Sequence, residues 1–236
     1  MGVTLQRLES TPSTQDVLHQ MAAAGAPAGT AIVARVQTVG RGSRGRSWES
    51  PPGGLWLSVL LRPVAAPAVE VLSLRVALAA SAAIESRVPG VLIQLKWPND
   101  LLLAGRKLGG ILCEARWQGG TPGWVAVGIG INVANPIPAD LALAAIALAS
   151  LWPDADPELL VGPVAESIAA LTDRAGTLTD QELAEYRGRD WLAGRPIRAP
   201  VSGIPCGVAR DGALMVRGED GTLQEIRSGT VLPAAG

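Results

Sequence analysis

From Gly123 to Val133 the chain alternates with a period of two. Val125, Val127, Ile129, Ile131 and Val133 are apolar, and the positions between them run Trp124, Ala126, Gly128, Gly130, Asn132. A run of this kind forms a strand with one face in a core. Its other face is stripped by two glycines. Glycine inside a strand marks the close approach of a ligand or of another backbone, or else a bulge or a tightly packed helix. Any fold for this chain must therefore contain a sheet that is packed on one side and free of large side chains at one place on the other.

The flanking sequence supplies the partners of that strand. Thr30–Gln37, Leu55–Leu61, Val91–Lys96, Asp100–Leu103 and Lys107–Arg116 read as further strands, separated by Gly, Pro and Asn turns. Ser13 with Asp16 three residues on reads as a capping box that opens a first helix, ended by Gly25. Helices are also expected over Pro67–Arg87, near Asp140–Leu151, over Pro157–Ala175 and over Asp180–Arg187. From Trp191 onward, short apolar runs split by Gly and Pro read as a small β-barrel of about 45 residues. The longest apolar runs, Val64–Ile84 and Leu141–Trp152, are interrupted or too short to span a membrane. The N-terminus has no signal-peptide apolar region. A cytoplasmic protein with no membrane partner is expected, and the isolated Cys113 and Cys206 fit a reduced compartment.

Chemistry concentrates in the loop Gly40-Arg41-Gly42-Ser43-Arg44-Gly45-Arg46-Ser47-Trp48. No apolar side chain lies between Gly40 and Ser47, so the segment cannot anchor itself by burial, and its three like charges repel. Arg offers a bidentate fork to an anion, and glycines let backbone N–H groups approach phosphate oxygens. A solvated loop or a nucleic-acid segment has the same composition. A second cluster is Lys96-Trp97-Pro98-Asn99-Asp100 followed by Arg106-Lys107-Leu108-Gly109-Gly110. The chain has two Lys against 18 Arg, and both lie here. A Lys kept in an Arg-rich chain suits a site that wants a compact ammonium.

Absences narrow the chemistry. The single histidine, His19, sits on the first helix and is expected to be solvated. There is no Ser-His-Asp triad, HExxH, His/Cys metal cluster, P-loop or Rossmann glycine motif. No resident metal is expected. Catalysis must come from cations and backbone donors. That suits adenylation, in which the substrate carboxylate is itself the nucleophile.

Ser13-Thr14-Gln15, Gln37 with Gly40–Trp48, Lys96–Asp100, Arg106–Gly110 and Gly128–Asn132, in this order, resemble the biotin protein ligase family over essentially the whole chain. The resemblance implies an α+β fold. Its catalytic domain, residues 1–188, would be a mixed sheet with flanking helices like that of class II tRNA synthetases. A small SH3-like β-barrel, residues 189–236, would follow. It implies that Ser13, Thr14, Gln15 and Gln37 bind biotin, and that Arg41, Gly42 and Ser43 close on the intermediate. Arg44, Arg46, Trp48 and Asn132 would take ATP, delivered with Mg2+. Lys107 would touch both the biotin carboxylate and the α-phosphate, and Asp100 would orient the acceptor lysine or assist its deprotonation. The implied partner is a biotin carboxyl carrier domain, and the implied state is a monomer or weak homodimer. Some members carry an N-terminal helix-turn-helix domain. Here the first motif comes about a dozen residues in, so no DNA partner is expected. Two positions depart from the family pattern: Gln15, where Asn is usual, and Ser43, where many members carry Arg.

Two rival functions have distinct signatures. A lipoate or octanoate transferase of the related fold would use Cys113 with Lys107. A nucleic-acid module would need a basic surface with aromatic platforms, yet the net charge is −1 with no Phe and one Tyr.

Overall fold

The structure, a computed structural model, describes residues 2–63 and 65–234. Val64, where the long apolar run begins, and the outer ends of the two expected domains lie outside these residues. Among the described residues the first half of the chain forms β1 (Thr4–Thr11), α1 (Thr14–Ala23), β2 (Thr30–Gln37), β3 (Leu55–Leu61), α2 (Ala66–Glu70) and α3 (Leu72–Glu85). The centre forms β4 (Gln94–Lys96), β5 (Asp100–Leu103), β6 (Arg106–Gln118) and β7 (Thr121–Ile131). Then come α4 (Glu158–Ala169), α5 (Asp180–Arg189), β8 (Ile197–Ala199), β9 (Ile204–Val208), β10 (Leu214–Arg217), β11 (Leu223–Ile226) and β12 (Leu232–Pro233).

Strands β1 to β7 make one sheet in the order β1-β2-β3-β7-β6-β5-β4. Strands β1 and β2 are parallel, joined across α1, and every other pairing is antiparallel. The alternation of β7 sorts its residues as expected. Val125, Val127, Ile129 and Ile131 enter the main core with residues of α3 and α4. On the opposite face α1 packs Leu18 and Ala22 against Ile32, Leu60 and Ala126. This helix covers only part of its face. Beyond Ala126 lie Gly128 and Gly130, paired in register with Leu112 and Gly110 of β6.

Three expectations change. Strand β1 has no sequence signature, because as a mostly exposed edge strand its two leucines are spaced by three rather than two. Helix 67–87 is broken at Val71 into α2 and α3. Residues 140–151 are not helical, despite a composition rich in Ala and Leu. Only two 3-10 turns form there, Ala139–Leu141 and Leu148–Ser150. The backbone groups between are used by the sheet. The Lys107 N–H donates to Ala144 O (2.8 Å), Ile146 N–H to Lys107 O (3.0 Å) and Leu148 N–H to Asn132 O (3.0 Å). Tertiary ladder bonds override local helix propensity.

The C-terminal strands form a three-stranded sheet, β11-β10-β9, and a two-stranded one, β12-β8. Ile197, Leu214, Val216 and Val231 join the same core cluster as the large sheet. Trp97 Nε1 donates to Gly212 O at 2.9 Å, and the Leu178 N–H donates to Arg210 O at 2.7 Å. Among the described residues no helix is long and apolar enough to cross a membrane.

One buried ion pair locks α3 to α5. Arg75, 2% exposed, bonds Glu182 Oε1 through Nε at 2.8 Å and Oε2 through Nη2 at 3.2 Å. Removing one partner of such a pair strands a buried charge. Glu182→Gln is expected to lower the unfolding free energy by about 3 kcal/mol, read from urea denaturation.

Candidate active site

A cavity of about 400 Å3 opens on the uncovered part of the sheet face. Its floor is Gly110, Leu112, Gly128, Gly130 and Ser58, and its rim is the start of α1, the Gly40–Trp48 loop and residues 135–145. The two glycines of β7 are not left empty. A Cβ built on Gly128 would stand 3.0 Å from Gln15 Cδ, and one on Gly130 would stand 2.6 Å from Trp48 Nε1. The bare strand face thus admits two side chains carried in from elsewhere, and these form walls of the cavity.

At one end Ser13 occupies the N-cap position of α1, but its side chain makes no cap bond. Its Oγ is buried without a hydrogen-bond partner, and the residue lines the cavity. The expected capping-box acid, Asp16, is engaged elsewhere, 2.8 Å from Arg41 Nη2. Thr14 donates to Gln37 Oε1 through both N (2.9 Å) and Oγ1 (3.1 Å). Gln37 Nε2 donates to Ser50 Oγ at 2.8 Å, and Thr14 Oγ1 lies 2.8 Å from Ser58 Oγ. Gln15 Nε2 donates to Leu112 O and to Glu114 Oε2, both at 3.1 Å. This end presents hydroxyls and amides held in place by one another.

The Arg/Gly loop is a short hairpin continuing β2. The Gly42 N–H donates to Arg46 O at 2.7 Å and the Trp48 N–H to Gly40 O at 2.8 Å. The turn places Arg44 in the left-handed region, at φ 61°. Polar contacts anchor the loop where burial cannot. Arg41 Nη2 pairs with Asp16 and Glu114, each at 2.8 Å. Arg44, expected beside the phosphates, stands outside the cavity lining and donates to Thr230 Oγ1 near the C-terminal strands. Arg46 folds over Ser43, with Nη2 3.0 Å from its Oγ and Nε 3.2 Å from its carbonyl.

The far end is cationic. Lys107 Nζ sits 2.6 Å from Asp100 Oδ1 and 5.2 Å from the centroid of the Trp48 ring. Burial lowers the pKa of Lys96; Asp100 opposes the shift, and nearby Lys107 and Arg46 add to it. Asp100 does not line the cavity itself. Asn132 lines it and accepts from Asn135 Nδ2 at 3.1 Å. Among the described residues no cluster of three His, Cys, Asp or Glu side chains is arranged to hold a metal.

Ser50, Ser58, Glu114 and Asn135 belong to the site and carry no motif. Ser58 is a lone hydroxyl in the otherwise apolar strand LWLSVLL, and Asn135 is one of three Asn in the chain. Those two could have been read; Ser50 and Glu114 had no signal. Cys113 is a poor nucleophile, because burial pushes its thiol up to about 12. That removes the Cys113–Lys107 reading. His19 is not solvated. Trp124 Nε1 donates to its Nδ1 at 3.0 Å, and its Nε2 faces Glu114 Oε2 at 3.4 Å.

Known proteins resemble this chain in sequence and in fold. Residues 7–132 match the model of the biotin/lipoate A/B protein ligase family. A biotin–[acetyl-CoA-carboxylase] ligase of Mycobacterium tuberculosis is 34% identical over 216 residues, 88% of this chain and 79% of that protein. The bifunctional ligase/repressor BirA of Bacillus subtilis is 35% identical over 195 residues, 81% of this chain and 56% of that one. The chain spans 41% to 66% of the length of the bifunctional relatives it matches. A biotin protein ligase from Aquifex aeolicus, solved in complex with biotin and ATP, superposes with a TM-score of 0.80 at 27% identity and covers 99% of each chain.

His19 gives a direct test of the packing behind the neutral polar end. Its pKa is lowered from 6.5 by burial and by Arg116, against the pull of Glu114. The fold therefore favours the neutral imidazole. Below pH 6.5 the unfolded chain takes up the proton first, so stability present above that pH is lost as pH falls through the lower folded value. The single imidazole should titrate by NMR with a midpoint below 6.5; a midpoint at or above it would contradict the packing described.

Proposed function

The chain belongs to the biotin/lipoate A/B protein ligase family, and from that premise we propose that it activates biotin with Mg-ATP and transfers it to a lysine of a biotin carboxyl carrier domain. The observation that carries this reading is the lining of one cavity. It joins a neutral polar end, with Ser13, Thr14 and Gln37, to a cationic end with Arg46, Trp48, Lys107 and Asn132. A ureido group needs donors and acceptors without charge, whereas a carboxylate and a triphosphate need cations.

In the first step the biotin carboxylate attacks the α-phosphorus of ATP and pyrophosphate leaves. In the second, the carrier lysine attacks the mixed anhydride and AMP leaves. Lys107 is a compact point charge in the cationic end, suited to neutralise both the carboxylate and the α-phosphate. Arg46 and Trp48 serve the nucleotide, with Asn132 beside them. Arg41, Gly42 and Ser43 stand at the loop edge, where they cover the acyl-adenylate. Gln15 acts at second hand, holding the floor through Leu112 O. Asp100 holds Lys107 in the resting site, and it becomes free to orient the acceptor amine when Lys107 turns to substrate. Arg44 contributes to loop placement through Thr230. We assign the chemistry to residues 1–188 and a supporting role to 189–236.

Incubation with biotin, Mg-ATP and a carrier domain should add one biotinyl group to a single carrier lysine, read by mass spectrometry. Exchange driven by lipoate or octanoate and not by biotin would overturn the substrate. Lys107→Ala should slow biotin-dependent ATP–pyrophosphate exchange by about a hundred- to a thousand-fold; near-normal exchange would remove Lys107 from the mechanism. Ser43 leaves the loop one cation short, and Arg44 does not replace it because it points to Thr230. Ser43→Arg should therefore slow escape of biotinyl-adenylate, measured by chasing the labelled intermediate with unlabelled ligand.

A further inference from the structure

The proposed function leaves unexplained a cluster behind the neutral polar end of the cavity. There a single carboxylate oxygen, Glu114 Oε2, meets three groups from two other elements. It accepts from Arg41 Nη2 of the loop at 2.8 Å and from Gln15 Nε2 of α1 at 3.1 Å. It also faces His19 Nε2 of the same helix at 3.4 Å. Glu114 lies on β6 opposite Ala126, the next residue on that face after Leu112, which pairs with Gly128 in the cavity floor. It stands at the back of the wall and does not line the cavity.

We propose that Glu114 is a positioning residue that acts through Arg41, setting how the Gly40–Trp48 loop sits over the neutral polar end; the proposal rests on the biotin-activating reading above. Three observations support it. Asp16 and Glu114 both engage Nη2 of Arg41, so together they occupy one corner of the guanidinium. Its Nε is buried without a partner on a side chain that lines the cavity, and is thus free for an incoming acceptor. Glu114 is also the stronger of the two tethers, its side chain being 23% exposed against 50% for Asp16. Arg44 and Arg46 repel Arg41 within the loop, and the opposite charge on β6 offsets that repulsion at the point nearest the sheet.

His19 Nε2 stands beside Glu114 at 3.4 Å without a hydrogen bond to it. Trp124 donates to Nδ1, which leaves the proton of the neutral ring on Nε2, facing Glu114. The charged and titratable groups around Glu114 are Arg41 and Asp16 from the loop and α1, His19 from α1 and Arg116 from β6.

The test is a double-variant cycle of Glu114→Gln with Arg41→Gln, using two readouts. The first is limited tryptic cleavage after Arg44 and Arg46. Loss of a charge-assisted tether should speed it by about ten-fold in either single variant, with no further gain in the double. The second is biotin-dependent ATP–pyrophosphate exchange. In Glu114→Gln, KM for biotin should rise by about ten-fold with kcat within about two-fold; Arg41→Gln, which also loses its own contact with substrate, should lose more, and adding Glu114→Gln to it should cost nothing further. Glu114→Asp, which keeps the charge on a shorter stem, should restore part of each effect. Effects that multiply in the double variant, or a fall in kcat with KM unchanged, would show that Glu114 does not act through Arg41. A wild-type chain with no biotin-dependent exchange would sink the functional reading, and the tryptic cycle would still decide the tether.

Discussion

The pairing of β6 with β7 governs the rest of the site. Gly110 stands opposite Gly130 and Leu112 opposite Gly128, so three of four facing positions project little from the sheet. A side chain at 130 would collide with the Trp48 indole and one at 128 would press on Gln15. The same strand carries an unbroken apolar row on its other face, buried under α3 and α4. Backbone hydrogen bonding and one-sided burial hold the sheet rigid. The missing side chains then let a loop and a helix start lie directly on it. A site built on a strand pair is positioned more firmly than one built on loops alone.

Charge placement follows from that geometry. The loop carries three Arg side chains, and each takes a different course. Arg41 turns back to Asp16 and Glu114, Arg44 reaches Thr230, and Arg46 lies over Ser43. Like charges on one short hairpin are tolerable because two are held by partners outside it. The opposite arrangement holds at Lys107. Its one carboxylate partner, Asp100, is local, and the Trp48 ring lies on another side. Lys107 is thus held by one local carboxylate, and Arg41 by two from separate elements.

The sequence made much of this legible, for identifiable reasons. Period-two alternation placed β7 and both its faces. Scarcity marked Lys107, since a chain that uses Arg nearly everywhere has two Lys. Edge strand β1 was invisible because an exposed strand need not alternate. Residues 140–151 misled because Ala and Leu report local propensity, whereas their backbone is bonded to Lys107 and Asn132. His19 and Glu114 were illegible for a related reason. They are 95 positions apart in number, and only the crossing of α1 over β6 brings them together.

The glycine face also changes what the loop is. Charge pattern alone describes a segment without an anchor, since nothing from Gly40 to Ser47 can be buried. Trp48 supplies the anchor at its very end. Its indole lies on Gly130 and under Lys107, with Nε1 buried and without a partner. The hairpin is therefore pinned at both its stems, by a polar pair at Arg41 and by an aromatic contact at Trp48. Only the turn Ser43–Gly45 and the Arg46 side chain stand free of the sheet. The turn is held as well, through Arg44 and Thr230, so the hairpin is fixed at its tip and at both stems, with the cavity beneath it.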